Sequence, residues 1–264
     1  MPQLMGKDIG PIGFGLMGLT WRANPCSEEQ AFETMRTALK NGMNFWNGGE
    51  FYGTPEHNSL TLLDRYFAKY PEDAEKVILS IKGGMGPSGI DGSPEGVTFG
   101  VIDKEYVQTG KIGGISLSEV KASTVHEAAK ITKIVACEVE LSLFATDVLD
   151  NGVAAACKEH NIPLVAYSPI GRGMLTGQIK SLDDILRIAC YATSSLAINW
   201  TRAVSKRPGM PVIVPIPGAT TADRVNENAK DVELSGQDMK ELDGTLSKFT
   251  PAGARYPPSI PMEG

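Results

Sequence analysis

Apolar runs that break into glycine or polar loop residues recur along the chain, at residues 9–17, 44–47, 77–82, 112–117, 135–141, 163–168 and 212–216. They are nearly continuous rather than alternating, the pattern of strands buried on both faces of a sheet. Between most of them lie stretches with helical spacing. Ser27-Glu28-Glu29-Gln30 reads as a capping box that opens a helix ending near Asn41-Gly42. Residues 59–69 put Leu60, Leu63 and Phe67, with Tyr70, on one face, and Pro71 stops that helix. Helical patterns continue at 123–130, 148–160, 194–207, 221–230 and 235–247, the last with Leu242 and Leu246 turned inward.

Alternation of β and α with short connections implies a parallel sheet, and right-handed crossovers restrict how it closes. Seven strands in 264 residues predict one barrel domain over residues 1–264 rather than a doubly wound sheet. No Gly-x-Gly-x-x-Gly opens a helix after an early strand, so that dinucleotide fingerprint is absent. Gly13-Phe14-Gly15 and Gly18 read instead as close backbone approach at the end of the first strand. The Pro- and Gly-rich tail from Lys248 reads as an extended strap or as chain loose in solvent.

Charge and composition narrow the function class. A net charge of −6, with no dense Lys/Arg run, argues against nucleic acid or anionic membrane as the main partner. No apolar run approaches the ~18 residues of a membrane span, and residues 1–10 lack a signal-peptide core. Cys26, Cys137, Cys157 and Cys190 have no ligand-like pairing, and the three histidines are scattered. Free thiols in a cytoplasmic protein, and no metal site, are the expectation.

The polar groups with chemical promise sit where strands end, the place α/β sheets keep their active sites. In Asn44-Phe45-Trp46-Asn47-Gly48-Gly49-Glu50-Phe51-Tyr52-Gly53, Tyr52 is either an acid or a tyrosine capping the core with its hydroxyl in water. Lys82, ending Leu79-Ser80-Ile81-Lys82, is either snorkelling or held inside for work. Paired with Tyr52, its ammonium would lower the phenol pKa and make a usable proton donor. Ser118-Glu119 is a polar pair at a strand end or the start of a helix cap. Of Glu138 and Glu140, at least one faces a polar cavity unless both point to the rim. Tyr167 stacks on a flat heterocycle or is ordinary core, and it precedes a Gly-rich loop bearing Arg172. Finally Ile216-Pro217-Gly218-Ala219-Thr220-Thr221-Ala222-Asp223-Arg224, followed by Glu227-Asn228, leads a glycine turn into a hydroxyl-rich helix start. That is either an anion site or a well-capped helix with Arg224 in a surface ion pair.

Taken together these segments resemble the aldo-keto reductases, most closely the fungal pyridoxal reductase branch. The Ile-Pro-Gly…Arg-x-x-Glu-Asn element and Phe-Tyr-Gly are the most specific parts, and the matching segments run through nearly the whole chain in the family's order. The resemblance implies a TIM-type (α/β)8 barrel holding NADPH across its top. Tyr52 would be the proton donor and Lys82 its partner, with Asn47 where most members carry aspartate. Ser118, Glu119 and Glu138 would meet the nicotinamide amide, and Tyr167 its ring. Ser168, Pro169, Ile170, Arg172, Ile216 and Gly218 would complete the cofactor cradle. Thr220, Thr221 and Arg224 would face the 2′-phosphate, and Glu227 and Asn228 the adenine.

The chain is short of that pattern in two places, 85–111 and 180–194, and both look like excisions from a longer parent. A βα unit needs about 30 residues, so the fourth unit is missing or replaced, and residues 97–103 supply at most a makeshift strand. The expectation is an incomplete barrel, a monomer or weak oligomer. It would reduce a small carbonyl substrate with NADPH, pyridoxal to pyridoxine being favoured. The alternatives are a non-catalytic NADP-binding barrel and a truncated isoform with impaired activity.

Overall fold

The computed structural model describes residues 1–83, 85–86, 89–90, 102–176 and 193–248. The elements begin with β1 (Gln3–Leu4), β2 (Lys7–Asp8), β3 (Phe14–Gly15), α1 (Met17–Thr20), α2 (Glu28–Lys40), β4 (Phe45–Gly49) and α3 (Ser59–Lys69). Next come β5 (Ile78–Lys82), β6 (Met85–Gly86), β7 (Gly89–Ile90), β8 (Ile115–Ser118), α4 (Ala122–Ile131) and β9 (Ile134–Glu140). The remainder are α5 (Val153–Glu159), β10 (Leu164–Tyr167), α6 (Ser194–Val204), β11 (Ile213–Pro215), α7 (Ala222–Asn228) and α8 (Gly236–Leu246). They group into two compact units, Met1–Ile115 with Ile216–Ala229, and Ser116–Pro215 with Lys230–Gly264.

In the first unit β3, β4 and β5 form a parallel sheet in which Phe14 lies opposite Trp46, Asn47 opposite Ser80 and Gly49 opposite Lys82. Gly15 also makes a parallel bridge to Gly218. A Cβ at Gly15 would lie 2.9 Å from the Ile216 carbonyl oxygen, so the close approach read from the Gly-Phe-Gly run is real. The sheet is backed by an aromatic core. Trp46 stacks on Phe67 at 6.1 Å and meets Tyr66 edge-on at 5.3 Å, and Phe32 meets Tyr66 from α2. Each such buried ring contributes about 1.5–3 kcal/mol through desolvated area.

A charged group is sunk beside this core: Asp73 is buried. The Tyr66 hydroxyl donates to Asp73 Oδ2 at 2.8 Å, and Lys76 Nζ donates to Oδ1 at 2.9 Å. Burial alone would push the Asp73 carboxyl up, but the bonds from Lys76 and Tyr66 hold it below the usual carboxylate range. Asp73 therefore stabilises the fold fully above its unfolded pKa of about 3.9, and that stability is lost as pH falls through the lower folded value. Tyr66→Phe should cost about 1.5–3 kcal/mol near neutral pH, the worth of a hydrogen bond to a charged group. Urea unfolding should show the gap between parent and variant closing in acid.

In the second unit the strand order is β11-β10-β9-β8, with β9, β10 and β11 parallel and Cys137 opposite Leu164. Helices α4 and α5 pack on each other, and α6 packs on β11. Cys137 on β9 and Cys157 on α5 are buried free thiols; their mutual contact, then burial, pushes the Cys137 thiol well up. The Cys137 thiol is therefore held neutral.

Among the described residues β5 ends one sheet and β8 ends the other, so no single ring of hydrogen bonds closes. This is the incomplete α/β arrangement that the short stretches imply. Residues 97–101 of the makeshift strand, most of 180–194, and the tail beyond Lys248 lie outside the described residues.

Several expectations are corrected. The first strand shrinks to Phe14–Gly15, and an antiparallel hairpin of β1 and β2 precedes it, turning at Met5 and Gly6 with φ of 51° and 75°. On α3 the buried stripe is Leu62, Leu63 and Tyr66, whereas Leu60 is 41% exposed. The helix expected over 148–160 is a 3₁₀ turn, Asp147–Leu149, and a separate α5, divided at Gly152, whose φ is 92°. Leu242 and Leu246 are only half-buried. The box at Ser27 is half-formed: Ser27 Oγ accepts from the Gln30 N–H, while the Gln30 side chain donates to the Thr220 carbonyl at 2.7 Å. Finally, β5 is not buried on both faces. Leu79 and Ile81 are 42% and 37% exposed.

Candidate active site

β4 delivers Asn47 into a buried position and ends on two paired glycines, Gly48 and Gly49, after which Glu50, Phe51 and Tyr52 leave the sheet together. The Tyr52 ring lies flat against Gly49, where an added Cβ would come within 3.2 Å of ring carbons. Trp21 covers the ring at a centroid distance of 5.5 Å, and Phe51 meets it edge-on at 5.0 Å. The Thr20 hydroxyl donates to the Tyr52 carbonyl at 2.6 Å, fixing the backbone. Gly53, with φ of 132°, takes the turn back toward α3; a side chain there would strike the His57 carbonyl.

Lys82 ends β5 one strand away. Its Nζ donates to Asn47 Oδ1 at 2.6 Å and sits 5.1 Å from the centre of the Tyr52 ring. Asn47 Nδ2 in turn makes a long 3.4 Å contact to Ser80 Oγ. Phenol, ammonium and amide thus occupy one space at the ends of β4 and β5. An amide oxygen orients the ammonium without cancelling its charge.

The loop after β3 connects this group to the 216–228 segment within the same unit. While Trp21 packs on Tyr52, the neighbouring Arg22 reaches Thr220 Oγ1 at 3.4 Å. Ile216 is buried and Gly218 exposed. Thr221 caps α7, its side chain accepting from the Arg224 N–H at 3.3 Å. Arg224 Nη1 pairs with Glu227 Oε2 at 2.6 Å, so the ion-pair reading of that arginine holds as geometry, although its side chain stays 41% exposed. Asn228 is buried on the inner side of α7. Two hydroxyls and two guanidiniums therefore stand at one exposed loop, a donor set suited to a phosphate monoester.

In the second unit, the ends of β8, β9 and β10 carry the other expected residues. Ser118 is exposed, and Glu119 follows it with φ of 52°. The Glu119 N–H donates to the Glu138 carbonyl at 2.9 Å, and Glu119 Oε1 accepts from the Glu140 N–H at 2.8 Å. Glu138 is buried, Tyr167 half-buried, Pro169 buried and Ile170 half-buried. Ser168 has φ of 50°, and its carbonyl accepts from the Gly171 N–H to start the 3₁₀ turn Gly171–Thr176. The Arg172 side chain lies outside the described residues. Left-handed backbone at both Glu119 and Ser168 is strain concentrated at strand ends, where function is commonly placed.

Sequence reasoning missed Trp21 and Arg22. Their only signal was an aromatic and a cation directly after the glycine-rich first loop, and nothing in the spacing links residue 22 to residue 220.

The Aldo/keto reductase family model matches residues 11–103 and 99–247. A Schizosaccharomyces pombe protein named probable pyridoxal reductase 2 is 33% identical over 323 aligned positions, covering 97% of each chain. That alignment is longer than the 264-residue chain, so the relative carries segments this one lacks. A second S. pombe protein, named aldo-keto reductase yakc [NADP(+)], is 30% identical over 96% of this chain and 94% of its own. The solved holo form of an aldo-keto reductase from Bacillus halodurans superposes with a TM-score of 0.73 at 17% identity, covering 97% of this chain and 99% of that one. With a parallel α/β fold, a tyrosine and a lysine meeting at strand ends, and these relatives, the chain belongs to the aldo/keto reductase family of oxidoreductases.

Proposed function

We propose that the protein reduces an aldehyde or ketone to an alcohol with NADPH, and that pyridoxal, reduced to pyridoxine, is its substrate. The observation that carries this reading is the placement of Lys82 Nζ on Asn47 and beside the Tyr52 ring. NADPH, when bound, supplies the hydride. Tyr52 then donates its hydroxyl proton to the carbonyl oxygen, and the Lys82 ammonium favours the phenolate left behind. Asn47 holds the ammonium in place. Trp21 and Phe51 wall the phenol and limit water around it.

Preference for the 2′-phosphorylated dinucleotide is assigned to Thr220, Thr221, Arg224 and Arg22. Among the described residues Arg22 has no carboxylate partner, whereas Arg224 is already paired with Glu227. Fluorescence titration should therefore show Arg22→Ala weakening NADPH by about tenfold or more, the worth of a charge-assisted hydrogen bond. NADH binding should be unchanged, and Arg224→Ala should have the smaller effect. Steady-state consumption of NADPH with pyridoxal tests the reaction itself.

The sheet that, among the described residues, ends at β5 favours a second reading, a chain that binds the dinucleotide without turnover. Saturable NADPH binding with no pyridoxal reduction would select it.

A further inference from the structure

Away from the strand ends, the fold gathers three metal-ligating side chains. His126 projects from α4, and Glu159 and His160 lie at the end of α5. His126 Nδ1 and His160 Nε2 are 2.8 Å apart, with the rings edge-to-face at 68° and their centroids 5.0 Å apart. One ring nitrogen from each histidine and one Glu159 carboxylate oxygen all lie within 4.8 Å of one another. We propose that this cluster is a binding site for a divalent transition-metal ion of the Zn²⁺ or Ni²⁺ kind, held by two imidazoles and one carboxylate. It uses none of the residues assigned to carbonyl reduction.

Without a metal, one proton must lie between the two facing nitrogens, because two lone pairs at that separation repel. Neutral imidazole is the ligating form, and to bind one ion each ring of the pair would present a lone pair to it. Two Zn–N bonds of about 2.0–2.1 Å at a tetrahedral angle put the nitrogens roughly 3.3–3.4 Å apart. The two nitrogens, now 2.8 Å apart, therefore need to part by about half an ångström, with the rings turning so that both face the ion.

The mounts are firm. Val125 and Ala128 anchor α4 in the core, and Val153, Ala154, Ala156 and Cys157 anchor α5. Both histidines are half-buried, while Glu159 is exposed and leaves the outer coordination positions to water. Two imidazoles with one carboxylate suit zinc, nickel or copper, whereas calcium and magnesium take oxygen ligands. Histidines 34 residues apart give no sequence spacing to recognise; helix packing alone makes the pair.

The test is calorimetric titration of the full, untagged, metal-stripped chain with Zn²⁺, its thiols blocked beforehand by iodoacetamide. The parent should take one ion per chain. His160→Gln should weaken binding by more than the ~10-fold that losing even an outer hydrogen-bond partner costs. Glu159→Gln, at an exposed position, should weaken it less, and His57→Gln should leave it unchanged. Zinc should raise the melting temperature of the parent by mass action and not that of His160→Gln. Glu159→Gln keeps the test sound should His160→Gln fail to fold. No saturable binding in the parent, or binding indifferent to both substitutions, would overturn the assignment.

Discussion

Tyr52→Phe is expected to lower the rate of carbonyl reduction by about 10²–10⁴-fold, the contribution of a positioned general acid, while leaving NADPH affinity intact. The variant isolates the hydroxyl because phenylalanine keeps every packing contact that the ring makes. Trp21, Phe51 and Gly49 touch ring carbons, and the Thr20 hydroxyl bonds the residue's backbone carbonyl rather than its side chain. Folding and cofactor binding are thereby separated from proton delivery. Single-turnover measurement with pyridoxal and bound NADPH reads the chemical step directly, and parental turnover in the variant would remove Tyr52 from the acid's role.

Lys82→Met should lower the rate by about 10²-fold and also move the alkaline fall in activity to higher pH. With the ammonium gone, nothing at that position would favour the phenolate, so the phenol would stay protonated further into base but be a weaker donor. Asn47→Asp should shift the same limb in the same direction with a smaller loss of rate. A carboxylate at that position would neutralise the ammonium now held 2.6 Å from Asn47 Oδ1. Rate profiles of the three proteins over the alkaline range check this. A limb that stays put in Lys82→Met would mean that the ammonium does not govern the phenol.

Strands β4, β9, β10 and β11 were readable because burial on both faces leaves an unbroken apolar signature, and runs were also found at β5 and β8 although these are exposed at alternate residues. The first run failed because its glycines serve close approach to Ile216 rather than a long ladder. The α3 face was misjudged by choosing Leu60 over Leu62, two positions that spacing alone ranks nearly equally while tertiary packing does not. The pairing of Tyr52 with Lys82 was legible because parallel register carries both strand ends to the same side of the sheet. Arg22 was not, since its partner Thr220 meets it only once the chain has folded back. Neither was the contact between His126 and His160, for the same reason. The half-formed capping box shows the converse. Gln30 has the right spacing for a local bond, yet a long-range carbonyl competes for its amide and wins.

Leu79 and Ile81 lie on one side of β5, where their branched side chains are partly exposed to water. Two exposed greasy residues on one strand matter little to one isolated molecule. Encounters between molecules, however, rise with the square of concentration, and a flat apolar strand is what such encounters select. Colloidal behaviour, rather than melting, then sets how much of this protein a solution or a cell can hold.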